Sequence, residues 1–288
     1  MRAVIIIAAL LLATPATAFS VPYARAAIAD PPRDARNPTS NKQLLIPSQG
    51  VGMNALLFQA SGKGPHHTVI LMHGLPGNER NLDLAQTIRR AGWNVLTFTY
   101  RGAWGSAGDF SIANAMEDTR AALDFARSPD GQKLGIDGRH IVLAGHSMGG
   151  ATAAMTAAGD RRLDGLILID AWNIAATARE TSRSALVAGL DDFGNALHGT
   201  SPDSTADEVL ARGSAWDLVA IAPRLTRFPI LTVTALHGDA ADNRPVTAAL
   251  RKAGNRRVTA IEMDSDHPFS DHRIALGSAV VRWLQNLR

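Results

Sequence analysis

Ser147 sits in Gly145-His146-Ser147-Met148-Gly149, a G-x-S-x-G pattern. The apolar run Ile141 to Leu143 precedes it, and small residues (Gly150, Ala151, Ala153, Ala154) follow. The run reads as a buried strand and the small residues as a tightly packed helix. A strand, a sharp turn and a helix with serine at the apex form a nucleophile elbow. The turn strains the serine backbone, and glycine at 145 and 149 lets strand and helix approach closely. The helix N-terminus beneath the serine presents N–H groups and a positive dipole end to a developing oxyanion.

A serine hydroxyl is a weak nucleophile at neutral pH. It needs a histidine to take its proton and a carboxylate to orient that histidine, in the chain order Ser, Asp or Glu, His. The downstream histidines are His198, His237, His267 and His272. His267 lies between the last predicted strand and the closing helix, flanked by Asp266 and Pro268, and is the candidate base. His237 reads as a structural strand-end residue, His272 as a surface or capping residue, and His198 falls in an insertion. Asp170, Asp239 and Asp242 all stand at predicted strand ends. Asp170 also suits helix capping or a salt bridge. An oxyanion needs two N–H donors. Met148 offers one from the elbow, and Leu75, just after His73-Gly74, offers the other. His73 and His146 read as hydrogen-bonded struts, and His66 and His67 as residues of a surface turn.

These residues need a scaffold that brings strand ends together. Thr68 to Met72, Trp93 to Tyr100, Leu163 to Ile169, Pro229 to Leu236 and Val258 to Met263 are strand candidates, with helical patterns between them. Such alternation predicts an α/β fold with a doubly wound, mostly parallel sheet, whose ligands bind beyond the carboxyl ends of the strands. Lys42 to Ile46 and Met53 to Gln59 predict a hairpin turning at Pro47 to Gly50. Residues 173–228 interrupt the alternation after the nucleophile strand and its neighbour, and predict a helical cap.

The chain has 288 residues, 46% hydrophobic and 19% charged, which suits one large domain. The net charge is +3 with scattered Lys and Arg, so there is no nucleic-acid footprint. Arg2, the apolar run Ala3 to Ala13 and Ala16-Thr17-Ala18 read as a signal peptide over residues 1–18. Ala27-Ile28-Ala29 is a second small-residue site, and residues 19–41 read as an irregular leader. The signal peptide predicts an exported protein, and the absence of cysteine excludes disulfides and suits the bacterial periplasm or extracellular space. No later apolar stretch is long enough for a membrane span. Neither a metal-ligand spacing nor a phosphate-binding glycine loop is present, so no cofactor or metal is expected.

From residue 42 to the C-terminus the chain resembles the α/β-hydrolase superfamily. It is most similar to the serine esterase, lysophospholipase and serine-aminopeptidase-like branch. The resemblance rests on VILMHGLPG, TYRGAWGS, GHSMGG, LTVTALHGDAADNRP and SDHPFSDHR, in the family's order. It implies that His267 is the general base. It also implies a carboxylate within G-x-x-D, followed by proline. Here Asp242 precedes Pro245 with the spacing from Gly238 one residue longer, and the proline relation favours Asp242 over Asp239. The position of Asp170 is one that some lipases use.

The reading is a cofactor-free Ser147–His267–Asp242 hydrolase for a small-molecule carboxylic ester. An aminopeptidase-like enzyme is the alternative, with Asp191-Asp192 or Asp207-Glu208 to hold an amine. A non-catalytic binding protein on the same scaffold is the other. Leu186, Val187, Leu190, Phe193, Leu197 and Trp216 predict an apolar roof, with activity rising from acetyl to butyryl or hexanoyl esters and then falling.

Overall fold

The structure, a computed structural model, describes residues 23–190 and 196–287. The expected signal peptide lies outside them. The leader is more ordered than expected: a short helix α1 (Arg25–Ile28) docks on the body of the protein. The Ala24 N–H donates to Ser278 Oγ at 3.0 Å, and Arg90 Nε donates to the Ala26 carbonyl at 2.6 Å. Those tertiary bonds supply what a four-residue helix cannot supply itself.

β1 (Ser40–Ser48) and β2 (Val51–Gln59) form the hairpin, turning at Gln49 and Gly50, both at positive φ. Pro47 belongs to β1 rather than to the turn. It is tolerated because β1 is an edge strand. β3 (His66–Met72), α2 (Leu82–Arg90) and β4 (Asn94–Phe98) come next. Then follow α3 (Ile112–Arg127), α4 (Pro129–Lys133), β5 (Ile136–His146), α5 (Met148–Gly159) and β6 (Gly165–Ile169). The cap contains α6 (Ile174–Glu180), α7 (Arg183–Leu190), α8 (Pro202–Arg212) and two 3₁₀ turns. β7 (Ile230–His237), α9 (Ala240–Lys252), β8 (Val258–Asp266) and α10 (Arg273–Gln285) complete the chain.

The eight strands run β1-β2-β4-β3-β5-β6-β7-β8. β2 pairs antiparallel with β1 and β4, and all other pairs are parallel. Every residue of β4 and β6 is buried, as strands covered on both faces require. Alternate side chains feed two cores. One holds Ile70, Leu143 and Leu168 against α3, α5, α9 and the cap; the other holds Val69, Val142 and Ile167 against α2 and α10.

The cap is fastened to the body of the protein at several points, among them the following. Glu208 on α8 accepts the Ile112 and Ala113 N–H groups at 2.8 and 2.9 Å, closing the N-terminus of α3. Ala103 and Leu197 form an isolated bridge, and His198 N–H donates to the Gly102 carbonyl at 2.6 Å. Leu186, Leu190 and Trp216 are buried in the main core. They pack the cap onto the body of the protein. Phe193 lies outside the described residues.

Candidate active site

β5 ends at His146, and Ser147 follows with φ 55° and ψ −122°. A β-carbon is strained there, and the surroundings hold the conformation. Ser147 N–H donates to the Ile169 carbonyl at 3.0 Å, and the Ser147 carbonyl accepts from Gly150, Ala151 and Trp172. The turn leaves no room around it. A β-carbon at 145 would collide with the Gly149 carbonyl, and one at 149 would stand 2.5 Å from the Met72 carbonyl oxygen. One at Gly74 would lie 2.8 Å from Ser147 Cβ. The strand-end loop His73-Gly74-Leu75 therefore lies directly against the serine.

β5 and β6 are parallel neighbours with His146 opposite Ile169, so the residues after them, Ser147 and Asp170, emerge side by side. Asp170 adopts φ 40° and is fully buried. Its Oδ2 accepts from His267 Nδ1 at 2.6 Å and from the Asp239 N–H at 2.9 Å. Its Oδ1 accepts from the Ala235 N–H at 3.1 Å and from Asn243 Nδ2 at 3.4 Å. A buried carboxylate with this many donors is held in one orientation.

Asp239 stands behind the same imidazole, with Oδ2 3.6 Å from His267 Nδ1. Burial pushes the Asp239 carboxyl up to about 6; the His267 charge opposes this, while Asp170 and Asp242 add to it. Burial works against protonation of His267. The Asp170 hydrogen bond and the charges of Asp239, Asp170 and Asp266 outweigh it and hold its pKa above the usual 6.5.

The expectation for Asp242 is corrected. No hydrogen bond or ion pair joins Asp242 to His267. α9 begins at Ala240, immediately after Gly238-Asp239, so Asp242 is already within its first turn. Burial and the charges of Glu180 and Asp170 raise its pKa, with Arg179 opposing. The residue of α9 that turns inward is Asn243, which the sequence reading passed over. Its Nδ2 reaches the Ala171 and Asp239 carbonyls at 3.1 and 2.9 Å, and its Oδ1 accepts the Ala171 N–H at 3.1 Å. Asn243 thereby braces the turn that carries Asp170. A single asparagine in an amphipathic helix gives no sequence signal of this.

His146 and His73 are buried struts. His146 Nε2 donates to the His267 carbonyl at 2.9 Å, fastening the β8–α10 loop to the elbow, and the two rings lie 4.5 Å apart. His73 Nδ1 donates to the Gly74 carbonyl at 2.7 Å. Burial, the largest cause for each, pushes both imidazoles down to about 4, so both are neutral at pH 7. His237 pairs with Asp264, and His272 occupies the N-cap position of α10. Leu75 follows Gly74, and Met148 opens α5 directly after Ser147.

Two groups of described residues have side chains close enough to hold a metal ion. Asp170, Asp239 and His267 are one. His67, His140 and Asp164 are the other; the two rings stack at 4.4 Å, and His140 Nδ1 lies 3.0 Å from Asp164 Oδ2. No sequence spacing announces the second group, because β3, β5 and the segment leading into β6 each supply one member.

Of the carboxylates that the alternative aminopeptidase-like reading would use to hold an amine, Asp207 and Glu208 have other partners. Asp207 pairs with Arg183 at 2.6 Å, and Glu208 closes α3. Asp191-Asp192 lie outside the described residues.

Among known proteins, the quorum-quenching protein AidA of Acinetobacter baumannii is 32% identical over 126 residues, 42% of this chain and 40% of AidA. The match thus spans about two fifths of that relative's length. The Pyrobaculum calidifontis esterase superposes with a TM-score of 0.66 at 20% identity, covering 88% of each chain. A carboxyl esterase from Bacillus coagulans superposes with a TM-score of 0.67 at 16% identity, covering 86% of this chain and 99% of that one. The model of the alpha/beta hydrolase family matches residues 69–278, from β3 through the elbow and the histidine loop into α10. On that match, which spans well over half of its length, the chain belongs to the alpha/beta hydrolase family.

Proposed function

We propose that this protein is a serine hydrolase that transfers the acyl group of a carboxylic ester to water. The reading rests on the 2.6 Å Asp170–His267 bond, formed beside a serine in a strained elbow. Ser147 Oγ attacks the ester carbonyl carbon while His267 Nε2 takes the hydroxyl proton. Asp170 keeps Nδ1 protonated and stabilises the imidazolium. The backbone N–H groups of Leu75 and Met148 hold the oxyanion. Collapse expels the alcohol, which leaves with the proton from His267, and the acyl group stays on Ser147. Water then attacks with His267 as base, and the acid is released.

The names of the Pyrobaculum and Bacillus proteins agree with an ester substrate. An aminopeptidase-like reading is weaker because Asp207 and Glu208 are engaged elsewhere. Residues 1–18 are proposed to direct export, which N-terminal sequencing of mature protein tests by starting near Phe19. The function is tested with p-nitrophenyl butyrate and a fluorophosphonate probe. Ser147→Ala should abolish labelling and lower kcat on the order of 10⁴-fold or more. A folded Ser147→Ala protein that retains its activity would overturn the reading.

A further inference from the structure

Three large apolar side chains left exposed on the described surface meet in one place. Leu45 on β1, Leu82 at the start of α2 and Trp104 in the loop after β4 are 64%, 38% and 40% exposed. All three line a cleft of about 590 Å³, the size of a small-molecule site. Trp104 is built into position. It holds a left-handed backbone at φ 49°, and its indole N–H donates to the Pro76 carbonyl at 2.9 Å. Backbone strain at an exposed aromatic points to a functional constraint.

Arg80 also lines this cleft, its guanidinium 5.5 Å from the centre of the Trp104 ring. The acidic neighbours do not neutralise it: Glu79 and Asp83 both pair with Arg273, at 3.8 Å and 2.5 Å. Arg80 has no hydrogen bond or ion pair of its own among the described residues. An arginine stacked on tryptophan with its fork unoccupied is matched to a carboxylate. His73 is the second polar element. It lines the cleft, is 3% exposed, and its Nε2 has no partner among the described residues. Its Nδ1 hydrogen is already given to the Gly74 carbonyl, so Nε2 is a bare acceptor. A buried acceptor without a donor is uncommon, and an N–H or O–H from a bound molecule would satisfy it.

We propose that this cleft binds a small apolar carboxylate that also carries an N–H donor, of the N-acyl amino acid class. The anion sits on Arg80, the acyl chain lies between Leu45, Leu82 and Trp104, and the amide N–H faces His73. His73 belongs to the loop that lies against Ser147, but the proposed ligand contacts neither Ser147 nor His267, so failure of the proposal would leave the hydrolase reading standing.

The test is calorimetric titration of the full chain carrying Ser147→Ala with N-hexanoylglycine and its neutral primary amide. A molecule of this size in a good site binds with a Kd of about 0.1–1 mM. The acid should bind at least about tenfold tighter than the amide. Adding Arg80→Gln should erase that difference, and adding Leu45→Ser should weaken both. Far-UV circular dichroism and melting check that the variants fold; both positions are at the surface. Equal affinity for acid and amide in the Arg80 protein would overturn the proposal. So would an Arg80→Gln protein that still prefers the acid, or no saturable binding of the acid at about ten times the expected Kd.

Discussion

Asp170 and His267 lie 97 positions apart in the chain and are joined by a 2.6 Å hydrogen bond between Oδ2 and Nδ1. β6 delivers the carboxylate and the β8–α10 loop the imidazole. Asp239, after the intervening strand β7, reaches the same nitrogen only at 3.6 Å. Asp239 instead donates its backbone N–H to Asp170. One carboxylate is thus bonded to the imidazole, and the second contributes its charge from behind.

That arrangement ranks the three carboxylates. Asp170→Asn should lower kcat on p-nitrophenyl butyrate on the order of 10³- to 10⁴-fold, because the asparagine permits the wrong histidine tautomer. Asp239→Asn should cost about tenfold or less, and Asp242→Asn about twofold or less. Parallel kinetics on the three variants decide it. Asp242→Asn as the crippled variant would restore the proline-based assignment.

The second carboxylate should show in the pH profile. If His267 is the general base proposed above, it must be neutral to act, and kcat/KM should fall as pH drops through its raised pKa. Asp239 helps to raise that pKa by stabilising the imidazolium. Removing its charge in Asp239→Asn lowers the histidine pKa and moves the acidic limb to lower pH. An unmoved limb would show that Asp239 does not act on His267.

The elbow was legible because its requirements are local. Gly145, Ser147 and Gly149 must be what they are for one turn to close, and that turn is written in five consecutive residues. The sheet was legible for a similar reason, since short apolar runs rich in β-branched residues, such as Gly165 to Ile169, favour buried strands. The acid was not. Its identity depends on which strand end turns toward His267, and that follows from the left-handed backbone at Asp170 and the brace from Asn243. Neither is encoded near Asp170. The proline after Asp242 suggested a position that the early start of α9 removes. The Arg80–Trp104 cleft was invisible for the same reason, being assembled from β1, β2, β3, β4, the loop after β4, the loop before α2 and the start of α2.

Backbone strain at Ser147 predicts a gain in stability with loss of function. Glycine adopts φ 55° and ψ −122° without a β-carbon penalty, whereas alanine retains the penalty. Ser147→Gly should be inactive and about 1 kcal/mol more stable than Ser147→Ala, within the range for such strain. Urea unfolding of the two proteins measures the difference. Gly145→Ala should fail to accumulate as folded protein, since its methyl group meets the Gly149 carbonyl.

Two buried neutral histidines should make the fold acid-sensitive. His73 and His146 are depressed to about 4, whereas an unfolded histidine titrates near 6.5. Between those values the unfolded chain binds the extra protons, so stability is full above about 6.5 and falls as pH drops toward 4. The loss is on the order of 3 kcal/mol per histidine at the lower end. Unfolding free energy measured from pH 7.5 to 4.5 should decline, and His146→Gln should flatten the decline. A variant with an unchanged slope would remove His146 from this account.

The last prediction concerns acyl length. An apolar roof would reward each methylene with about 0.8 kcal/mol until the pocket filled. The side chains suited to that role are already used. Leu186, Leu190 and Trp216 are buried in the main core, and the cap is tied down through Glu208 and the Ala103–Leu197 bridge. Opening a pocket beneath them would expose this packing, at a cost of several kcal/mol for side chains of that size. A short acyl group needs no such opening. The expected order of kcat/KM on p-nitrophenyl esters is therefore acetate and butyrate highest, with a decline from hexanoate onward. This shifts the optimum to shorter chains than the sequence pattern suggested. Leu190→Ala should widen the tolerated length by about two carbons, at a stability cost of about 2–5 kcal/mol. A profile climbing through octanoate to palmitate in the unaltered protein would mean that the cap moves aside as a unit, contrary to these fastenings.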